Sequence, residues 1–196
     1  MPDKEQILIA LLNSYAKLSL ASLHELVSQA DYSTYDKDAY LVKEDKNDER
    51  EYFLLEGLMH CCNIAEDGRT VTTDILNAPV VIVPHFARTL QRRSIFSIQA
   101  LTACVAAHIP VSVFDKLRYA HADIGAFGNA VVEKELSRHL KEDTIFRSCN
   151  ARQRLLLMRG RYPGLENMIP HHIIASYLGI TPVSFSRLRN ELAARD

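Results

Sequence analysis

The sequence predicts an α+β chain: an N-terminal antiparallel β-roll of the jelly-roll kind, one long helix, and a C-terminal helix-turn-helix. Three observations carry this. Between Tyr40 and Phe114, short β-rich runs alternate with polar turns; from Asp115 a helical stripe returns; and the last fifty residues hold helix-sized segments punctuated by Gly160, Pro163, Pro170 and Gly179. At 196 residues, 47% hydrophobic and 24% charged, the chain has enough apolar surface for a sizeable core.

The elements follow in order. "KEQILIALLNSYAKLSLASLHELVSQAD" carries apolar residues at helical spacing and reads as two short helices, with Ser19 or Ser22 capping the second. The runs "AYLV", "EYFLLEGLMHCCN", "RTVTTDIL", "VVIVP" and "SIFSIQALTACVAAHIPVSVF" read as a meander of strands. Asp67-Gly68 is a hairpin turn, because glycine supplies the positive φ such loops need. Further on, Ile124, Phe127, Val131, Leu136 and Leu140 recur at steps near three and four. This stripe either lies on its own roll or forms the seam of a dimer.

Charge is distributed unevenly. From residue 147 to the end, eight arginines stand against Glu166, Glu191 and Asp196, a net +5 without one lysine; the remainder carries fifteen basic and twenty-one acidic residues. A basic end on an acidic body points to a polyanion partner for the C-terminus.

Other classes are set aside. No run approaches the roughly 18 apolar residues that span a bilayer, and no leader is visible, so a cytoplasmic protein without membrane contact is expected. Cys61, Cys62, Cys104 and Cys149 form no CxxC, which argues against disulfides and iron-sulfur clusters. His60, Cys61 and Cys62 together suggest a metal or oxidant site, but adjacent strand residues face opposite sides, so at least one cysteine simply packs. His60, His85, His108 and His121 are candidate haem ligands by number alone, and no metal or cofactor is assigned. No HxH followed by glutamate and histidine occurs, so no enzyme is expected.

The C-terminal segments fit a helix-turn-helix on physical grounds. In "PHHIIASYLG", Ile173, Ile174, Tyr177 and Leu178 form an apolar arc, Ala175 permits a close crossing, and Gly179 closes the helix in the left-handed conformation. Thr181 caps the next helix and Pro182 starts it, giving a recognition helix over 182–193. At about 100° per residue, Phe185, Leu188 and Leu192 face inward while Val183, Ser186, Arg187 and Asn190 face out. Arg187 suits guanine O6 and N7, Ser186 a base edge or phosphate, and Val183 a thymine methyl. Thr181, Ser184, Arg189 and His171 suit phosphates. The competing reading is a two-helix corner with solvated polar residues.

"RQRLLLMRGRYPGLENMIPHHIIASYLGITPVSFSRLR" resembles the C-terminal domain of Crp/Fnr transcription regulators, and "EYFLLEGLMHCCNIAEDGRTVTTDI" resembles the family's cyclic-nucleotide-binding-like roll. The resemblance implies a roll over residues 1–120, a dimerisation helix and hinge over 121–146, and a DNA-binding domain over 147–196. It also implies a homodimer joined through Ile124, Phe127, Val131 and Leu136, a near-palindromic site on double-stranded DNA, and RNA polymerase as a further partner. Ser186 and Arg187 take the place of base-contacting residues, while Val183 stands where many members carry glutamate. "VVIVPHFART" lacks the glycine-glutamate pair that holds a cyclic nucleotide's ribose, so cyclic AMP is not expected; Arg93 and Ser94 occupy the place of the phosphate-binding half. The expected function is sequence-specific transcription regulation with an unassigned small-molecule effector. The alternative is a ligand-binding roll whose helix-turn-helix no longer reads DNA.

Overall fold

The structure is a computed structural model that describes residues 3–194; Arg195 and Asp196 of the basic end lie outside the described residues. Two helices open the chain, α1 (Lys4–Asn13) and α2 (Leu20–Ser28). The strands of the roll are β1 (Asp31–Tyr35), β2 (Tyr40–Val42), β3 (Arg50–Glu56), β4 (Leu58–Ile64), β5 (Thr70–Asn77) and β6 (Val80–Val81). A one-turn helix α3 (His85–Arg88) leads to the small ribbon β7 (Thr89–Leu90) and β8 (Arg93–Ser94), then β9 (Ser97–Ala100) and β10 (Cys104–Pro110). Helices complete it: α4 (Val111–Ala120), α5 (Ala122–Ser148), α6 (Ala151–Arg161), α7 (Leu165–Met168), α8 (His171–Tyr177) and α9 (Pro182–Ala193).

The strands form two antiparallel sheets, ordered β1-β10-β3-β6 and β2-β9-β4-β5. Their inner faces enclose Leu54, Met59, Leu76, Ile82 and Ile98, the packing expected of a closed roll. The Asp67-Gly68 hairpin joins β4 to β5, with Gly68 at φ +80. Gly57 breaks the long "EYFLLEGLMHCCN" run into β3 and β4; it sits at φ +91, and a Cβ there would meet the Ala103 carbonyl at 2.4 Å.

Several expectations are corrected. "DYSTY", not read as a strand, forms β1, pairing with β10 from Asp31↔His108 to Tyr35↔Cys104. "VSVF", read as strand, opens α4 directly after Pro110. The helical stretch after Asp115 is two helices, because His121 adopts an extended conformation between them. Finally, three residues expected at a dimer seam, Ile124, Phe127 and Val131, are buried in their own chain. They pack with Leu8, Leu12 and Leu26 of the opening helices and Phe53, Ala107 and Ile109 of the sheet.

Asp123 joins the start of α5 to α2. Its carboxylate accepts from the Ser19 N–H at 2.8 Å and the Ser22 hydroxyl at 2.8 Å, and these bonds hold its pKa down to about 2. A folded-state pKa below the unfolded value gives stabilisation that is complete above the unfolded pKa and disappears as pH falls through the folded one. Asp123→Ala should therefore lower the unfolding free energy by about 1 kcal/mol at neutral pH. Urea titrations at neutral pH and near pH 2 should show that difference fading in acid.

Candidate nucleic-acid interface

Local chemistry builds the C-terminal motif as its sequence suggests. Asn150 and Gln153 form a reciprocal capping box at the start of α6. Gly179, at φ +66, ends α8: its N–H donates to the Ser176 carbonyl at 2.9 Å and the Ile180 N–H to the Ala175 carbonyl at 3.0 Å, the two bonds of a left-handed helix stop. Thr181 then accepts from the Ser184 N–H at 3.1 Å, and Pro182 occupies the first turn of α9. Inside, Phe185 and Leu192 pack with Ile174, Ala175, Leu178, Leu155 and Met158.

The outward face of α9 is open. Thr181, Val183, Ser184, Ser186, Arg187 and Asn190 are all exposed, Val183 by 69%. Arg187 has no ion-pair partner among the described residues, so its guanidinium fork is uncommitted. Two residues expected on phosphates are placed otherwise. Arg189 is half-buried and bonds Glu166 at 2.8 Å, and Glu166 also takes Arg159 at 2.6 Å. Burial raises the Glu166 pKa, but the two arginines outweigh it and hold the carboxyl below its ordinary value. His171 stands edge-on to Phe185 and beside Arg189, with its Nε2 3.1 Å from the Glu166 carbonyl. Both residues brace α9 against α7 and α8.

The motif does not float free of the roll. Ile75, Leu58 and Leu101 share the core of α6, α8 and α9. Along β5, an edge strand, the Ser176 hydroxyl accepts from the Thr72 N–H at 2.9 Å, and the Tyr162 hydroxyl donates to the Ile75 carbonyl at 2.9 Å. A charge chain reinforces this junction. Arg138 of α5 meets buried Asp74 of β5 at 2.8 Å, Glu135 at 2.7 Å and Glu142 at 3.1 Å, and Glu142 continues to Arg161 of α6. Burial pushes the Asp74 carboxyl up, and Arg138 offsets this only in part. Sequence reading missed the chain because its members are separated along the sequence; the one local signal is the i, i+3 and i, i+4 spacing of Glu135, Arg138 and Glu142.

An open cavity of about 400 Å³ also lies between the sheet and α5, lined by Cys61, Asp74, Phe86, Phe96, Glu135 and Leu136 among others. Arg93 and Ser94, expected in an effector site, do not line it. Arg93 pairs with Asp45 at 2.9 Å on the surface, and the Ser94 hydroxyl donates to the Phe96 carbonyl at 2.6 Å. Arg88 of α3 is fully buried, bonded to Asp48 at 2.9 Å and to the Val83 and Arg50 carbonyls, so it too is committed to the fold. The four histidines considered for haem have separate partners: His60 with Thr72 and Gln99, His85 with the Asp48 carbonyl, His108 with Ser33, and His121 with Glu25. Cys61 and Cys62 are both buried, and burial raises both thiol pKa values, that of Cys62 to about 11. That is the environment of packing cysteines.

No family model matches the chain, and no curated protein matches it. Solved structures do. FixK2 from Bradyrhizobium japonicum superposes with a TM-score of 0.73 at 19% identity, covering 85% of each chain. The c-di-GMP responsive global regulator CLP of Xanthomonas campestris gives 0.70 at 11%, covering 90% of this chain and 93% of that one. The chain has the Crp/Fnr fold. A CooA mutant from Carboxydothermus hydrogenoformans gives 0.66 at 18% identity, over 87% of this chain and 79% of that one. In this Crp/Fnr fold the roll, long helix and helix-turn-helix follow one another in the expected order, and no helix among the described residues is long and apolar enough to cross a membrane.

Proposed function

We propose that the chain is a sequence-specific DNA-binding transcription regulator that acts as a homodimer. The observation that carries this is the open face of α9. Short residues at its N-terminal end leave room for a groove edge, and an exposed Arg187, unpaired among the described residues, stands one turn further on. Val183, Ser186, Arg187 and Asn190 face the bases in this reading; Thr181 and Ser184, at the helix N-terminus, face phosphates. Arg189 and His171 set the pitch of α9 and approach phosphate only at its edge. Contact with RNA polymerase belongs to the same reading.

The dimer uses the later part of the expected α5 stripe, where Leu136 lies, and not Ile124, Phe127 and Val131. Leu136 and Leu140, one turn apart, are 58% and 61% exposed, and a second α5 would cover them. Leu136→Glu combined with Leu140→Glu should convert a dimer into a folded monomer in sedimentation equilibrium. The pair should also weaken binding to a duplex with two half-sites by more than about tenfold. A wild-type chain that sediments as a monomer on DNA would contradict the dimer.

The roll acts as sensor through population shift: a ligand that prefers one setting of α5 against β5 also selects one spacing of the two reading heads. Cyclic AMP does not fit this role. The glycine-glutamate pair is missing, and the side chains of Arg93 and Ser94 are already engaged.

A further inference from the structure

A cleft of about 630 Å³ lies where β5, the end of α5 and the helix-turn-helix meet. Part of its wall is apolar. Phe146 of α5 is 50% exposed and Leu157 of α6 is 48% exposed; Val71 of β5 joins them, and Leu178 lies alongside. Half-exposed apolar side chains from three elements converge on one concavity, as in small-molecule sites.

The cleft is lined by two carboxylates, Glu142 and Asp143, and two arginines, Arg154 and Arg161. Glu142 is taken by Arg138 and Arg161, and Asp143 by Arg147. Arg154 alone remains. Its guanidinium lies over the Phe146 ring, 4.5 Å from the centroid, and its Nη1 donates to the Phe146 carbonyl at 3.0 Å, so the group is held in place. Among the described residues no carboxylate pairs with it, and its Nε is buried without an acceptor. A fixed arginine beside an apolar wall, its Nη1 taken by a carbonyl, its Nε buried and its Nη2 left unbonded among the described residues, is arranged to receive a carboxylate at Nη2.

We propose that this cleft binds a small amphipathic monoanion, an apolar or aromatic body bearing one carboxylate. The carboxylate pairs with Arg154, and the body lies on Phe146, Leu157 and Val71. Because these walls belong to the roll, the long helix and the reading head, the ligand holds α8 docked on β5. That regulatory consequence rests on the function proposed above; the binding itself does not.

The test uses the full-length chain without DNA, 2-naphthoate as probe and the neutral 2-naphthamide as control, both followed by calorimetry. Naphthoate should bind once per chain, roughly tenfold or more tighter than the amide. Arg154→Gln should remove that preference and leave amide binding unchanged. Leu157→Trp, at a half-exposed position that tolerates a larger side chain, should fill the cleft and abolish both. Circular dichroism and urea unfolding establish that each variant is folded. Equal binding of the two probes, an unaltered preference in Arg154→Gln, or no naphthoate binding at millimolar concentration would overturn the proposal. A chain that binds naphthoate but no DNA would keep the site and discard the regulator.

Discussion

Arg138→Met is expected to destabilise the folded chain by about 3–5 kcal/mol, because it strands a carboxylate that water cannot reach. Asp74 is buried in β5, and its oxygens lie 2.8 and 3.0 Å from the two guanidinium Nη atoms. The cost arises from the charges left behind, so Arg138→Met with Asp74→Asn should recover the share of the loss that Asp74 carries in a double-mutant cycle, while buried Glu135 keeps the remainder. Acid gives an independent check. Burial already raises the Asp74 pKa above its ordinary value, so the folded state holds its proton more tightly than the unfolded chain does. That penalty develops as pH rises through the window above the unfolded pKa and is absent below it. Without Arg138 the window widens upward, and the deficit of Arg138→Met should shrink as the pH of the urea titration is lowered from 7 toward 4. A deficit equal at both pH values would show that lost packing, not stranded charge, is the cause.

Arg187→Ala is expected to cost about 1–3 kcal/mol of DNA affinity and to relax base preference at one position in each half-site. The loss is specific because Arg187 supports nothing inside the protein: it is exposed and unpaired among the described residues. Arg189→Ala provides the contrast. Arg189 grips Glu166 from the inner edge of α9, so its removal should lower the stability of the C-terminal motif and weaken all sequences together. Competition binding with single-base operator variants separates the two; a flat, sequence-blind loss from Arg187→Ala would contradict its assignment.

Much of this architecture was legible in the sequence because local rules wrote it there. Gly179, Thr181 and Pro182 each have one physically sensible place in a two-helix corner, and Asp67-Gly68 has one in a hairpin. What escaped was set by distant partners. The stripe of Ile124, Phe127 and Val131 correctly indicated a buried helix face, but spacing cannot say whether the covering surface belongs to the same chain, and here α1 and α2 supply it. "DYSTY" becomes a strand only because β10 offers it an edge. Arg93 and Arg189 looked free for a ligand or phosphate until the fold brought Asp45 and Glu166 beside them. The break at His121 lies in a segment whose periodicity reads as continuous.

The central claim is that α9 reads a DNA sequence as one half of a symmetric pair. Selection of bound duplexes from a random pool by the purified full-length chain, at moderate salt, tests it most directly. The expected result is a two-fold symmetric motif with half-site centres about one helical turn, roughly 34 Å, apart. Each half should contain a guanine whose selection disappears with Arg187→Ala. A pool that emerges unenriched, with and without a cell metabolite extract, would contradict the claim.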